Sequence, residues 1–434
     1  MRRVLTLPAK AAFHATRQPL YSFIQSPPSL GRLSQAQSMV GAHNPEIVRA
    51  FESSFAAITG PGEAVSYGSG RMAFYSLMKV LGIGEGDEVI LPGFTCSVMV
   101  NAILRVGATP IFSDIEEDTF GSEPKSIERS LTARTRMIVA QHTFGYPCDI
   151  EAILQIANQS GVFLVEDCAT SLGTTVGGRT VGDFAHAAIF STDHTKPINT
   201  LIGGMLYTQD QGLAGRLRAE RLILEDLSVT KQRALWHRMQ LEASYRLPSK
   251  QWKLAARDVL SRPFLRISRG TSPFLDEDYL PTSKLGTYPY PTTLPSFLAF
   301  IGLEQTENWD QIRQQRKMAL RSLLDVVQAS PSGVHLPEVL RKDPSAIVPL
   351  RLAWADPKAE AIKRRIRQFI TTEGTWFLGP IVATSAPAED FGYKWGSCPV
   401  AESQGPRMVN IPIPSEAADA ARLAGLLEKA LRTS

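Results

Sequence analysis

Three groups in the sequence have the residue types and positions that amine chemistry on a phosphate-bearing aldehyde would need. Lys196 follows an apolar run, AHAAIFS (residues 185–191), and precedes the pair Gly203 and Gly204. Asp167 ends a second apolar run, VFLVED (residues 162–167), and GSGRMA (residues 68–73) lies between a strand-like and a helix-like stretch. A lysine amine can condense with an aldehyde and then shuttle a proton. A carboxylate can keep a pyridine nitrogen protonated by opposite-charge pairing. The N–H groups of a glycine turn that opens a helix can hold a phosphate. Together these are the groups that pyridoxal-phosphate (PLP) chemistry requires. Each signal alone is weak, because a strand-terminal Asp is commonly a cap or turn former and a single Lys is commonly solvated.

The elements that must position these groups alternate. AVSYGSG (residues 64–70) reads as a strand entering a glycine turn, and RMAFYSLMKVLG follows with Met72, Phe74, Leu77, Met78 and Leu81 at helical spacing. GDEVILPGF, TPIFSDI, RMIVAQHTFG and VFLVEDCA read as further strands. VMVNAILRVG, ended by Gly107, and EAILQIANQS read as the helices between them. Strands alternating with helices imply a mainly parallel sheet covered on both faces, with ligands at the carboxyl ends of its strands. The expected class is therefore α/β, with a large mainly parallel-sheet domain at residues 46–305. A smaller C-terminal α+β domain is expected at residues 306–434. A basic helical insertion at about residues 219–290 breaks the rhythm and carries Trp236 and Trp252. It reads as an embellishment packed on the large domain, as a lid, or as a membrane-touching surface. A Pro-rich loop, TYPYPTTLP, ends it, and one long amphipathic helix is expected from Ser296 through residue 324.

Composition narrows the function classes. Hydrophobic residues make up 44% of the 434 and charged residues 20%, the balance of a folded domain with a sizeable core. A formal charge of +4 over this length does not argue for nucleic acid as a partner. Four cysteines, Cys96, Cys148, Cys168 and Cys398, form no CxxC pair and no zinc-finger spacing, so no metal site is expected and a reducing, cytoplasmic setting is. The first 45 residues carry Arg2, Arg3, Lys10 and Arg17 with no acid. They read as an arm on the body or a neighbouring subunit, or as a transit peptide.

Taken in order, the blocks carry a resemblance. GSGRMAFYSL, GDEVILPGFT, GATPIFSDIEEDTF, RTRMIVAQHTFGYPCD, VEDCATSLG, GDFAHAAIFSTDHTKPINTLIGG and GSCPVAE…RMVNIPIP resemble the successive blocks of the DegT/StrS family of PLP-dependent sugar aminotransferases. The likeness is good over residues 64–208 and looser over 295–431. It implies the PLP-transferase fold of the aspartate aminotransferase type, working as a homodimer with shared active sites. It further implies an amino donor, glutamate by family habit, and a nucleotide-linked keto-sugar as acceptor, in surface-polysaccharide or similar glycan assembly. Lys196 matches the lysine that forms the Schiff base, and Asp167 the pyridinium partner. Ser191, with the backbone of Gly70 and Arg71, matches the phosphate site. His142, Gly145, Pro147 and Asp149 match a block taken as mainly structural.

Three positions depart from the family pattern. Cys96 stands where an aromatic residue usually stacks on the cofactor ring, and nearby Phe94 is the substitute expected. Thr170 stands in place of a longer Gln or His near the cofactor's phenolic oxygen. PYPTTLP replaces the N-Y-R loop that reaches the neighbouring subunit. His194 either contacts substrate or phosphate or shapes its turn, and Arg71 either reaches a phosphate or is salt-bridged. Cys168 should point away from Asp167 into the core. Three rival readings stand beside this one. GSGRMA fits a nicotinamide fingerprint, but the nearest acids, Asp87 and Glu88, open a strand rather than end one. A sugar dehydratase would need His194 in the lysine slot. A non-catalytic PLP or nucleotide-sugar binder would show no turnover.

Overall fold

A computed structural model describes residues 25–244, 275, 279–281, 288–330, 334–366 and 377–432. Two helices, α1 (Leu30–Ala36) and α2 (Pro45–Thr59), lead into a region where strands and helices alternate. Its elements are β1 (Glu63–Tyr67), α3 (Gly70–Val80), β2 (Glu88–Pro92), β3 (Thr95–Cys96), α4 (Ser97–Val106), β4 (Thr109–Ser113) and α5 (Pro124–Ser130). There follow β5 (Thr135–Gln141), α6 (Ile150–Ser160), β6 (Phe163–Asp167), the short β7 (Thr175–Val176) and β8 (Arg179–Thr180), β9 (Ala187–Ser191) and β10 (Gly204–Thr208). Seven strands make one sheet in the order β1-β10-β9-β6-β5-β2-β4. All neighbours are parallel except β10, which runs antiparallel to both β1 and β9. Strands β2 and β10 are buried along their whole length, as a sheet covered on both faces requires.

Because β5, β6 and β9 are parallel neighbours, their carboxyl ends lie side by side. Gln141 pairs with Asp167, and Asp167 with Ile189, so the ends of three strands and the loop carrying Lys196 open on one edge. That is the edge where parallel sheets hold ligands.

Two helices, α7 (Gln211–Arg221) and α8 (Val229–Ser244), follow the sheet, and α9 (Ser296–Glu307) and α10 (Trp309–Gln328) lead out of it. The single long helix expected from Ser296 is thus two. At Asn308 the side-chain amide competes for the Glu304 carbonyl (2.7 Å), and the backbone leaves helical geometry there. The remainder comprises α11 (Glu338–Lys342), β11 (Arg351–Ala355), α12 (Ala359–Ile366), β12 (Ile381–Val382), α13 (Pro399–Gln404), β13 (Met408–Pro412) and α14 (Ala417–Arg432). Strands β11 and β13 form an antiparallel pair, and α14 packs on α10. The stretch SAIVPLRL is a strand only from Arg351 onward. Strand β12 leaves this part of the chain and pairs in parallel with β3.

The arm's described portion packs on the body. Buried Gln25 donates its N–H to the His194 carbonyl (2.9 Å), and its own carbonyl and side-chain oxygens accept from Asn199 (2.6 Å) and Arg316 (2.7 Å). Residues 1–24, with the basic cluster at Arg2, Arg3, Lys10 and Arg17, lie outside the described residues, as does Trp252. No described helix is long and apolar enough to cross a membrane.

Candidate active site

A cavity of about 440 Å³ opens at the carboxyl edge of the sheet. Gly70, Arg71, Cys96, Asp167, Thr170, Ser191, His194 and Lys196 all line it. Eight positions spread over 127 residues of sequence therefore converge, which follows from the parallel strand order rather than from any one motif. A larger cleft of about 690 Å³ between the β4 loop and the C-terminal part holds none of them.

The phosphate side is built from close backbone approach. Ser69 caps α3 by accepting the Met72 N–H, which places Gly70 and Arg71 in the first turn, where N–H groups have no acceptor within the helix. A Cβ on Gly204 would lie 2.1 Å from the Gly70 nitrogen, and one on Gly70 would lie 2.9 Å from the Phe190 carbonyl oxygen. Side chains at either position would push the start of α3 away from the cavity. An anion held here would meet both the N–H groups and the positive end of the helix dipole. Ser191 lies on the wall, but its hydroxyl donates to Asp193 (3.1 Å), so a phosphate would have to turn it.

Lys196 is 5% exposed, and its loop is closed by a bond from its N–H to the Asp193 carbonyl (2.9 Å). Asp167 is also buried, with Oδ1 accepting the Ala169 N–H at 3.0 Å. Burial pushes its carboxyl above the usual range, and the Ala169 N–H and the Lys196 ammonium pull the other way. A cationic ring nitrogen would supply the counter-charge that this buried acid calls for.

Behind Asp167, His142 is fully buried. Its Nδ1 accepts the Cys148 N–H (3.1 Å), so Nε2 holds the proton and donates it to Glu166 (3.0 Å). Glu166 also accepts the N–H groups of Gly182, Phe184 and Ala185 at 2.7–2.9 Å. Alternation along β6 sends Glu166 away from Asp167, and Cys168, equally buried, lies beside His142. This filled cluster stiffens the strand end that carries Asp167. Asp149, from the same block, caps α6 through Ala152 (3.1 Å).

One expectation needs correction. Phe94 does not line the cavity. It is fully buried, and its ring packs against Phe377 at 4.9 Å, so Phe377 stands on the wall in its place, brought there when β12 joins β3. Thr170 lies on the cavity wall, and its hydroxyl donates to the His142 carbonyl (2.7 Å). Arg71 is neither bare nor paired to a described carboxylate. It donates to the Leu275 carbonyl and lies over the Tyr279 ring, both residues of the insertion. Cys96 lines the cavity as an uncharged thiol, its pKa raised by burial. Leu201, Phe377 and Ala383 also line it, with φ of 68°, 56° and 65°. Such left-handed backbone at non-glycine residues is found where surrounding structure enforces a site.

Sequence reasoning passed over Asp193 and the insertion's contribution. Asp193 accepts from Thr195 and Ser191, and its carboxyl is held below the usual range. Burial alone would raise it, but Lys196 and His194 outweigh burial. In the insertion, Trp236 is buried and its indole N–H reaches the Leu33 carbonyl (3.4 Å), so it is a packing residue and not a membrane anchor. Arg238, Leu275 and Tyr279 line the cavity. The PYPTTLP loop is tied to its own chain, with the Thr292 carbonyl accepting the Gly68 N–H (2.8 Å) and its hydroxyl donating to the Glu225 backbone carbonyl (2.6 Å).

The sequence profile of the DegT/DnrJ/EryC1/StrS aminotransferase family matches residues 34–257, just over half of the chain. The chain belongs to this family. Spore coat polysaccharide biosynthesis protein SpsC of Bacillus subtilis is 38% identical over 214 residues, 49% of this chain and 54% of that protein. GDP-perosamine synthase of Escherichia coli O157:H7 is 36% identical over 190 residues, 44% and 51% of the two chains. The matched segments thus span about half the length of these relatives. The crystal structure of DesI in the presence of its TDP-sugar product superposes with a TM-score of 0.70 at 22% identity, over 98% of this chain and 97% of that one, which fixes the fold. The cofactor that DegT-family membership implies is PLP, and the residues present fit it. The α3 cradle suits its phosphate, buried Asp167 its ring nitrogen, and Lys196 its aldehyde. Membership of an aminotransferase family also removes the nicotinamide reading of GSGRMA.

Proposed function

We propose that this DegT-family chain is a PLP-dependent aminotransferase that moves an amino group, from glutamate, to a nucleotide-linked keto-sugar. It would work as a homodimer in the cytoplasm and feed surface-polysaccharide or similar glycan assembly. The observation that carries the reading is the convergence of Lys196, Asp167 and the start of α3 on one cavity. Bound PLP would supply an electron sink and a carrier for the amino group.

The chain's own residues would do the rest. The first-turn N–H groups of α3 hold the phosphate and so fix the position of the ring. Asp167, stiffened by the His142–Glu166 cluster, keeps the ring nitrogen protonated. Lys196 sits at the end of a short loop after β9, next to both. Its amine would hold the cofactor and, once free, would move a proton at the substrate carbon. Burial of Lys196 and Asp167 keeps water from competing for that proton. The lysine register is favoured over a dehydratase arrangement because Lys196 lies on the wall beside Asp167, while the Nδ1 of His194 is bonded to Glu242.

The test is a visible spectrum of the PLP-loaded protein beside Lys196→Ala, before and after borohydride and with added glutamate. The expected result is a visible band in the wild type, trapped by borohydride as a mass increase on Lys196, absent from the variant and bleached by glutamate. A band that no amino donor bleaches would sink the aminotransferase reading. No band at all after PLP addition would sink the cofactor assignment.

A further inference from the structure

The loop that carries Lys196 runs from Thr192 to Gly203 and joins β9 to β10, which are neighbours in the sheet. It is much longer than an antiparallel connection requires, so it needs pins of its own. The Thr192 N–H on the Gly203 carbonyl (2.9 Å) and the Thr200 N–H on the Thr192 carbonyl (2.8 Å) close its base. Nearer the tip, the His194 N–H reaches the Leu201 carbonyl (3.2 Å). The limb after the lysine begins with Pro197, which has no N–H to give.

That limb is held at Asn199, which is buried and satisfied at its N–H, its carbonyl and both ends of its side chain. One side chain grips its backbone. Gln305, in the last turn of α9, accepts the Asn199 N–H (2.7 Å) and donates to the Asn199 carbonyl (2.8 Å). The Asn199 amide faces two ways, with Oδ1 accepting the Leu201 N–H (2.8 Å) and Nδ2 donating to the Gln25 carbonyl (2.6 Å). Only one orientation of an amide serves an N–H on one side and a carbonyl on the other. Gln25 also gives its N–H to the His194 carbonyl (2.9 Å). One residue of the arm thus bridges the loop on both sides of Lys196, at His194 before it and Asn199 after it. The bridge is itself anchored. The Gln25 side-chain oxygen accepts from Arg316 Nη1 (2.7 Å), and this buried guanidinium is fixed in turn on the Pro349 carbonyl (2.6 Å).

Leu201 shows what the Asn199 bond does locally. Its φ of 68° is left-handed, a conformation that a leucine takes only when its surroundings impose it, and it lies on the cavity wall. Asn199, Gln305 and Gln25 do not line the cavity, so anything they do for the chemistry passes through the loop.

We propose that Asn199 is a positioning residue for Lys196, holding the lysine loop between Gln305 of α9 and Gln25 of the arm. This rests on the PLP-dependent aminotransferase reading of the same cavity. Packing alone would be served by an apolar side chain, with no buried polar groups to satisfy. Proton transfer depends instead on placement, and a shift of about 1 Å costs roughly 10²-fold in rate. A bridge that straddles the lysine restrains the tip of the loop, where bonds at its base have least hold.

The test compares wild type with N199A, N199D and Q305E. N199D keeps an acceptor for the Leu201 N–H but turns an oxygen on the Gln25 carbonyl. Q305E keeps an acceptor for the Asn199 N–H but turns an oxygen on the Asn199 carbonyl. Amide hydrogen exchange of the apoproteins, followed by mass spectrometry across residues 192–203, reads the clamp itself. Stopped-flow absorbance of the PLP-loaded proteins at saturating glutamate reads the placement of the lysine. The expected result is faster exchange in this segment for all three variants, with the visible band bleached roughly 10- to 100-fold more slowly. A rate per loaded molecule does not depend on how much protein is folded, so a loss of stability alone leaves it unmoved. Exchange equal to wild type overturns the proposal, and so does faster exchange with an unchanged bleaching rate. Should N199A not fold, N199D and Q305E decide by the same criteria. If no amino donor bleaches even the wild type, the aminotransferase reading fails. The clamp is then judged by the rate of borohydride trapping on Lys196, where a rate altered in N199D supports it and an unaltered one overturns it.

Discussion

Asp167→Asn separates the electrostatic role of this residue from a packing role, because the structure predicts opposite effects in two states. The Oδ1 atom accepts the Ala169 N–H at 3.0 Å, and an Asn turned with its carbonyl toward Ala169 keeps that bond. The amide group then faces the ring nitrogen as a donor and can no longer hold a proton there. Without cofactor, the buried acid has a pKa raised above 3.8. A raised acid stabilises the fold below its unfolded pKa, and that contribution is lost as pH rises through its folded value. Above that folded value the wild type has lost it. Apo Asp167→Asn should therefore melt at or above the wild type at pH 7, with the difference closing as pH falls toward about 4.

With cofactor the sign reverses. Breaking a buried charge pair costs about 3–5 kcal/mol, or roughly 10²- to 5 × 10³-fold, divided between PLP affinity and the rate of bleaching by the donor. Thermal melts of apoprotein, PLP titration and stopped-flow absorbance with glutamate measure each share. Unchanged PLP affinity together with an unchanged bleaching rate would refute the assignment of Asp167 to the ring nitrogen. An apo variant melting several degrees below wild type would instead make Asp167 a structural residue.

Two further outcomes follow from the packing and the ion pair. Gly204→Ala puts a Cβ 2.1 Å from the Gly70 nitrogen, a backbone atom that cannot swing aside. It should destabilise the fold by about 1–3 kcal/mol in urea titrations and weaken PLP binding by displacing the start of α3, whereas Gly161→Ala, far from the cradle, should spare PLP affinity. His194 has its pKa raised above 6.5, so its pair with Glu242 is complete below that pH and is lost as pH climbs through the folded value. Glu242, held below 4.5, keeps its charge down to lower pH. The melting temperature of the wild type should exceed that of His194→Asn most between about pH 4.5 and 6.5, by the equivalent of about 1–3 kcal/mol, and the gap should narrow as pH climbs through the raised folded value. A gap independent of pH would show that the pair is not ionic.

The sequence by itself determined the alternation of strands and helices, and with it the edge at which Lys196, Asp167 and the α3 turn had to meet. Those features rest on local periodicity and on residues at strand ends, and parallel pairing carries them to one place without further information. The close approach of Gly70 and Gly204, by contrast, is a contact that only the folded sheet makes. Only the tertiary structure decided what surrounds the lysine. Phe377 replaces Phe94 on the wall because β12 crosses from the C-terminal part to pair with β3, a contact between segments nearly 300 residues apart that no periodicity announces. The Thr170 proton is turned to a backbone carbonyl because the His142 turn comes within 2.7 Å of it. Glu242 looked like one more polar residue on a basic helix, and it becomes the centre of a buried ion pair only when α8 packs beside the Lys196 loop. The break at Asn308 lies between these cases. The competing amide was visible in the sequence, but the apolar pattern continued through it, and the turn was settled by Trp309 packing against Gly173. Patterns repeat along a chain and can be read from it, whereas a single contact between distant segments depends on the whole fold being in place.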